Sequence, residues 1–522
     1  MMDKRPGQRK EAQPFRALKM QKALSDISYG DRATVKSNIE KVGLFEDFSL
    51  LDSIQSSIGP QVLKGMSDLS PTPIQRLAIP ALLGKESRAE RKKRKQTGKD
   101  PMQQFLLAAE TGSGKTLAYV LPVLDAIKRA ESDGVFADPL DENQKNTKDS
   151  LSSKNSDAVL TDAPHSTTGR PRAVVLLPTS ELVAQVASVF KALSHTVKFR
   201  AAFISAAFTA KVIRNRLFSP SGIDVLISTP HLLASIAESE PNVLSRVSHL
   251  VIDEADSLFD RSFAPSTSSI VDRSTPSLQQ LILCSATIPR SLDSYLRERF
   301  PAIHRLTTPN LHAIPRRVQL GVVDIDKQPY VGNRSLACAD TIWSIGKAAI
   351  EKRTSEHGAS PITHIIVFVN EREMTETVAD FLRAKGIDAA ALNRDSSEQR
   401  QLKAIEEFTI IGNARPSGDE IPFQNQNTEE SKGPRDRHSK RSLPHTKVLV
   451  STDLGSRGID TLPVRHVILY DVPHTTIDFI HRLGRTGRMG RRGRGIVLVG
   501  KHDRKDIVRE IREGMFKGQA LI

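Results

Sequence analysis

Short, continuous apolar runs recur along this chain, each followed by a turn and then by a longer stretch whose apolar residues return at helical spacing. The first run is Phe105 to Ala109, with a helical period from Leu117 to Ile127 behind it. Ala173 to Leu177, Asp224 to Ser228, His249 to Ile252 and Leu281 to Cys284 continue the series. An irregular stretch over 309–330, holding Pro309 and Pro315, then interrupts it. The alternation restarts at His364 to Val369 and continues at Lys447 to Ser451, His466 to Tyr470 and Ile496 to Val499. Strands that are apolar throughout, not alternately, are buried on both faces, which predicts parallel sheets covered by helices. The chain therefore reads as α/β with two similar halves, at 41–308 and 331–515. A linker at 309–330 joins them and a polar leader at 1–40 precedes them. Phe45 to Met66 is amphipathic at helical spacing, and a proline pair, Pro71 and Pro73, opens a further helix carrying Gln75.

Length and composition fit this picture and narrow the partners. At 522 residues the chain exceeds one ordinary core. Its 38% hydrophobic and 26% charged residues suit a globular protein with solvated insertions, here 131–169 and 412–444. No apolar run approaches the ~18 residues of a membrane span. The net charge of +15 and pI near 9.7 point to a polyanion, nucleic acid before a membrane surface. Part of that charge is concentrated in Lys85 to Lys99, where Glu86 and Glu90 are the only acids, and part near the carboxyl end. With two cysteines, Cys284 and Cys338, there is no disulfide framework and no zinc-type spacing, which suits a reducing compartment. The first 22 residues are basic, but Asp3 and Glu11 interrupt the acid-free pattern of a transit peptide.

Three constellations carry chemistry. Ala109, Glu110, Thr111, Gly112, Ser113, Gly114, Lys115 and Thr116 follow a buried strand and open a helix, the context a phosphate-binding loop requires. Ala109 stands where the general pattern has its first glycine. Loop amides and the helix N-terminus would face phosphate, Lys115 would neutralise the β- and γ-phosphates, and the Thr116 hydroxyl would hold Mg²⁺. Asp253 and Glu254 end another strand, where open α/β sheets place their ligands. Asp253 is assigned to the metal and Glu254 to the attacking water. Near the carboxyl end, His481 to Arg494 alternates glycine with arginine between a helical stretch and a strand. Arginines in the half that lacks a phosphate loop are suited to stabilise charge on a transferring phosphoryl group. The Gln75 amide, a paired donor and acceptor, could read an adenine edge.

In order, these motifs resemble those of the DEAD-box RNA helicases of superfamily 2. They are Pro71 to Gln75, Ala109 to Thr116, Asp253 to Asp256, Ser285 to Thr287, Thr452 to Asp460 and His481 to Arg488. Within the family the chain looks most like the fungal mitochondrial members. The resemblance implies two tandem RecA-like domains and an RNA-dependent ATPase using ATP and Mg²⁺ to unwind or remodel RNA. It further implies a mitochondrial protein with a transit peptide, acting as a monomer on RNA, ribonucleoprotein or ribosome-assembly partners. It places Gln75 and an upstream aromatic, Phe45 or Phe48, at adenine, Asp460 at the ribose, and Arg485 and Arg488 at the γ-phosphate. Asp256, Ser285, Thr287 and His481 would couple hydrolysis to domain closure. Pro178, Thr179, Gln185, Thr229, Pro230 and Thr452 would line the RNA path.

This sequence departs from the family pattern on the RNA side, while the ATP side is nearly intact apart from a longer spacing between the upstream aromatic and Gln75. Ser180 replaces an arginine, Ala206 and Ala207 a glycine pair, His231 and Leu232 a Gly-Arg pair, and Asn393 and Arg394 a His-Gly pair. Two cationic phosphate contacts are thereby lost, and the surplus charge of Lys85 to Lys99 and of Arg491, Arg492 and Arg494 either supplies the missing affinity or belongs to solvated loops. The alternatives to a helicase acting on RNA are a nucleotide-gated RNA clamp that scarcely unwinds, a nucleolar ribosome-assembly helicase and a DNA helicase.

Overall fold

The apolar runs become strands that lose both faces to helices, which removes them from water without leaving backbone groups unpaired. The computed structural model describes residues 37, 39–40, 42–64, 69–84, 102–133, 165, 167–260, 262–308, 311, 314, 317–355, 362–392, 408, 442–452, 464–487 and 492–517. The chain divides into two compact units. One is Met1–Ile314 with Thr475–Ile480 and Asp506–Ile522, the other Pro315–His474 with His481–Lys505.

In the first unit the strands are β1 (Gln103–Ala108), β2 (Ala173–Leu176), β3 (Ala201–Phe203), β4 (Val225–Ser228), β5 (His249–Ile252), β6 (Gln280–Ser285) and β7 (His304–Thr307). They form one seven-stranded sheet in the order β3-β4-β2-β5-β6-β1-β7, with every neighbouring pair parallel. Because successive side chains point to opposite faces, one apolar run feeds two cores. Phe105 and Leu107 join a layer with the helices Pro73–Leu82, Lys115–Ser132 and Ser180–Val197. Leu106 and Ala108 join the opposite layer, with Pro230–Ser239, Ala264–Ser274 and Arg290–Arg299. Truncating Leu107, which is fully buried, to alanine would cost about 2–5 kcal/mol.

The amphipathic stretch after Phe45 is not one helix. A 3₁₀ turn at Phe45–Asp47, a short α-helix at Asp52–Ser57 and a wide turn at Ile58–Val62 share its length. Pro60, which has no amide hydrogen to give, lies within that last turn. Phe45, Phe48, Ile54 and Ile58 still bury together against the first core layer.

The second unit is built from β8 (Val318–Asp324), β9 (Thr363–Phe368), β10 (Asp388–Leu392), β11 (Thr446–Ser451), β12 (Val464–Leu469) and β13 (Gly493–Val499). Their order is β10-β11-β9-β12-β13-β8, again parallel throughout. Ile365, Val367, Val448, Val450, Ile468 and Leu498 form a core with the helices Arg334–Ser355 and Glu373–Ala384.

One expectation needs correction. The stretch 309–330 is not wholly irregular, since β8 within it pairs with β13 from Val318 to Asp324. As the edge strand it is half-exposed, and Gln319 and Gly321 dilute its apolar character. Residues 309–310, 312–313 and 315–316 lie outside the described residues, as do 1–36, most of 131–169 and nearly all of 412–444.

Candidate active site

Strand order sorts the candidate residues along the carboxyl edge of the first sheet. Three adjacent strands, β5, β6 and β1, end respectively at Asp253, at Ser285 and at the loop beginning with Ala109. Three others, β3, β4 and β2, end before Ser205 to Phe208, before Thr229 and Pro230, and before Pro178 and Thr179. The nucleotide candidates and the RNA candidates thus occupy neighbouring halves of one edge. The border is the β2–β5 pair, where Leu176 faces Ile252.

The loop after β1 is pinned from several sides. The Ala109 amide donates to the Ser285 carbonyl at 3.1 Å, and the Ser113 amide to the Glu110 carbonyl at 3.3 Å. The Thr308 hydroxyl donates to the Glu110 carboxylate at 3.1 Å. Gly114 caps the following helix with φ 89°, a left-handed backbone that glycine adopts without strain. A Cβ there would also lie 2.5 Å from Gln75 Nε2. That Nε2 donates to the Gly114 carbonyl at 3.1 Å, while Gln75 Oε1 accepts from the Thr72 amide at 2.9 Å. The Gln75 amide therefore closes a capping box on its own helix and ties that helix to the phosphate loop. Lys115, itself buried, folds back so that its ammonium donates to the carbonyls of Ala109 at 2.7 Å and Glu110 at 3.0 Å. Thr116 and Thr111 are half-buried, Gly112 is exposed, and the Ser113 hydroxyl is buried without a hydrogen-bond partner.

The acidic turn after β5 is strained and charged. Glu254 has φ 53°, a left-handed conformation that costs a non-glycine residue on the order of 1–3 kcal/mol. Its amide donates to Asp253 Oδ1 at 2.9 Å, and its Oε2 is buried with no hydrogen-bond partner. Asp253 accepts from the Tyr119 hydroxyl at 3.1 Å. Burial, reinforced by the Glu254 carboxylate, raises the Asp253 carboxyl to about 6 against the opposing pull of Lys115. Burial also pushes the Tyr119 phenol and the Cys284 thiol well above their ordinary values, with Asp253 adding to both. Asp256 accepts from the Thr287 hydroxyl at 2.5 Å, and the Ser285 hydroxyl donates to the Thr287 carbonyl at 2.7 Å. Asp253, Glu254, Asp256, Ser285, Thr287 and Lys115 thus gather at three adjacent strand ends.

On the other half of the edge, the Thr179 hydroxyl accepts from the Leu182 amide at 3.3 Å and caps the helix Ser180–Val197. Pro178 and Pro230 are buried, and Gln185, Thr229 and Thr452 are half-buried. His231, at a departure from the family pattern, stacks on Phe263 at 4.8 Å and shares a 3.0 Å hydrogen bond with Ser266. Phe45 and Phe48 are both buried, with rings edge-to-face at 5.9 Å.

In the second unit His481 and Arg485 are both buried, and Arg485 Nε donates to the His481 carbonyl at 3.3 Å. Gly495 makes room for the preceding helix, since a Cβ there would meet Leu483 at 2.4 Å. Two side chains are singled out by geometry and not by motif. One is Tyr119, one turn beyond Thr116 on the phosphate-loop helix. The other is Arg482, whose guanidinium donates to Asn370 Oδ1 at 2.8 Å and lies 5.5 Å from the Phe368 ring centre. The sequence offers a helical offset for the first and no signal for the second. Asp460, Arg488, Asn393, Arg394 and the basic run 85–99 lie outside the described residues. Among the described residues no helix is long and apolar enough to cross a membrane.

The sequence profile of the DEAD/DEAH box helicase family matches residues 72–295, and that of the helicase conserved C-terminal domain matches 431–490. An ATP-dependent RNA helicase mrh4, mitochondrial, from Sclerotinia sclerotiorum is 58% identical, over 100% of this chain and 84% of that protein. Its counterpart from Aspergillus fumigatus is 57% identical, over 98% of this chain and 83% of the relative. Among solved structures, Mss116p bound to ssRNA and AMP-PNP aligns with TM-score 0.62 and 18% identity, covering 90% of this chain and 76% of that one. S. cerevisiae Dbp5 bound to RNA and ADP BeF3 aligns with TM-score 0.61 and 20% identity, covering 90% and 93%. At such identities the structural likeness establishes the fold, two RecA-like domains in tandem.

Proposed function

This chain belongs to the DEAD/DEAH box helicase family, and from that premise we propose that it works as a mitochondrial ATP-dependent RNA helicase. It hydrolyses ATP to unwind or remodel RNA. The observation that carries the reading is the gathering of Lys115, Asp253, Glu254 and Ser285 at adjacent strand ends, with Gln75 tied to the same loop.

Lys115 is already poised over the loop, and its two carbonyl contacts would be exchanged for β- and γ-phosphate oxygens when nucleotide binds. Amides of Thr111 to Lys115 and the helix N-terminus add donors and positive potential. The donor set suits Mg²⁺, which takes one or two protein oxygens together with phosphates and water. The Asp253 carboxylate and the Thr116 hydroxyl would hold it, with Asp253 oriented by Tyr119. When bound, Mg²⁺ neutralises charge developing on the phosphate oxygens. Glu254 Oε2 has an unused acceptor and a fixed, strained backbone, which fits it to orient the attacking water. Arg485 and Arg488 would supply positive charge to the γ-phosphate in the hydrolysing state. Gln75 reads adenine at the cost of its present bond to Gly114, or holds the loop for it. RNA is taken along Pro178, Thr179, Gln185, Thr229, Pro230 and Thr452.

The test compares ATP hydrolysis with and without RNA, together with displacement of a short duplex in ATP and in a non-hydrolysable analogue. RNA-stimulated hydrolysis with displacement dependent on ATP supports the reading. Duplex held equally in both nucleotides, with no displacement, would identify a clamp instead.

A further inference from the structure

The turn after β3 is where this sequence replaces a glycine pair by Ala206 and Ala207, and a different chemistry stands beside it. Phe203, the last residue of β3, and Phe208, after the turn, pack edge-to-face with ring centres 5.7 Å apart. The Arg216 guanidinium, from the helix Ala210–Leu217, lies 4.2 Å from the centre of one ring and 4.1 Å from the other. A 2.8 Å hydrogen bond to the Phe203 carbonyl locks it there. All three side chains are half-buried, while Ala206, Ala207, Lys211 and Arg214 around them are exposed.

Along the chain, the segment that bears this group carries charge of one sign. From Leu182 to Ile223 the chain contains no aspartate or glutamate, yet it holds Lys191, Lys198, Arg200, Lys211, Arg214 and Arg216. The turn follows β3, which pairs with β4 as β4 does with β2, and those two strands lead into Thr229 and Thr179, so the turn continues the same edge. A rigid aromatic clamped by a cation, beside the exposed Lys211 and Arg214, combines what single-stranded nucleic acid requires. It offers cations for phosphate and a π face for a base.

We propose that Phe208, held by Arg216 and Phe203, stacks on one nucleobase of the bound RNA, with Lys211 and Arg214 meeting the adjoining phosphates. The proposal rests on the RNA-binding reading above and adds to it a contact with a base, where backbone contacts alone would ignore base identity and presence. Phe208 reads no sequence, because every base presents a π face. Its contribution is independent of the salt term that Lys211 and Arg214 supply.

The full-length protein is titrated, in Mg²⁺ and a non-hydrolysable ATP analogue, with a ten-nucleotide single-stranded RNA and with a series carrying one abasic nucleotide at each position. For the parent, one abasic position should weaken binding about tenfold, the scale of a single base–aromatic stack. Phe208→Leu keeps apolar volume and removes the π face. It should bind intact RNA about tenfold more weakly, become indifferent to that abasic position and keep the parent's salt slope. Lys211→Ala with Arg214→Ala should instead flatten the slope and retain the abasic penalty. A Phe208→Leu protein that binds as the parent does, or keeps the same abasic penalty, overturns the proposal and makes the Phe–Arg–Phe group a packing element only. A parent that binds no RNA overturns the RNA reading itself and this contact with it. Thermal midpoints of parent and variant, if equal, tie any loss to the ring.

Discussion

Thr287 donates its hydroxyl to Asp256 at 2.5 Å, joining the turn after β6 to the acidic turn after β5. The same Asp256 follows the strained Glu254 by two residues, so a displacement of one turn is felt by the other. A hydrogen bond to a charged acceptor is worth about 1.5–3 kcal/mol, enough to make the two turns move as one. Thr287→Ala should leave ATP affinity and basal hydrolysis near the parent's and reduce duplex displacement at least about tenfold. Parallel hydrolysis and displacement assays read this directly. Equal losses in both would place Thr287 in the chemistry, not the coupling.

Lys115 and Glu254 should fail differently. Lys115→Ala removes a charged donor to phosphate, which should weaken ATP about 10- to 100-fold. Glu254→Gln keeps the binding surface and loses the carboxylate, so affinity should hold while turnover falls about 10²- to 10⁴-fold. Fluorescent-nucleotide titration and single-turnover hydrolysis separate the two outcomes. Parent-rate hydrolysis by Glu254→Gln would remove that residue from the mechanism.

Two arginines three positions apart should also part company. Arg482 is fully buried and bonded to Asn370, so Arg482→Ala leaves a buried acceptor without its donor and should destabilise the second unit by about 1–3 kcal/mol. Arg485→Ala should lower RNA-stimulated hydrolysis by about 10³-fold with little change in nucleotide affinity. Denaturant unfolding and steady-state hydrolysis, measured on both variants, distinguish scaffold from chemistry.

Acid should loosen the first unit through His249. Burial lowers this imidazole to about 4, so the folded chain binds fewer protons than the unfolded one between about 4 and 6.5. Its stabilising contribution is complete above 6.5 and is lost as pH falls through that window. At about 1.4 kcal/mol per pH unit the loss approaches roughly 3 kcal/mol. His249→Asn, which cannot titrate, should show a smaller drop in unfolding free energy between pH 7 and pH 4.5. An unchanged drop would assign the acid sensitivity to other groups.

The chemistry of the first half was legible because it depends on short segments with one backbone requirement each. A buried strand, a glycine able to take φ 89° and a lysine beside it specify the phosphate loop locally. The edge strands were less legible. β3 is three residues long and β8 half-exposed, and neither carries the dense apolar run that central strands need. Long-range bonds left no local trace at all. Nothing near Gln75 announces Gly114, 39 positions on, and nothing near Arg482 announces Asn370. Arg482 read as one more cation of a Gly-Arg stretch, because burial is decided by β9 and the segment after β12, not by its neighbours. The break in the Phe45 to Met66 segment could be anticipated from Pro60, though not its division into three kinds of turn.

The sorting of the sheet edge has a consequence for how such a chain can change. Because β5, β6 and β1 stand side by side and β3, β4 and β2 stand beyond them, the residues proposed for nucleotide and those proposed for RNA are separable parts sharing a single seam at Leu176 and Ile252. The turns after β3 and β4, which carry Ala206, Ala207, His231 and Leu232, can be changed without touching Lys115, Asp253 or Glu254. A graft of those two turns from a distant relative should transplant the preference for a strand and leave the engine running at its own speed.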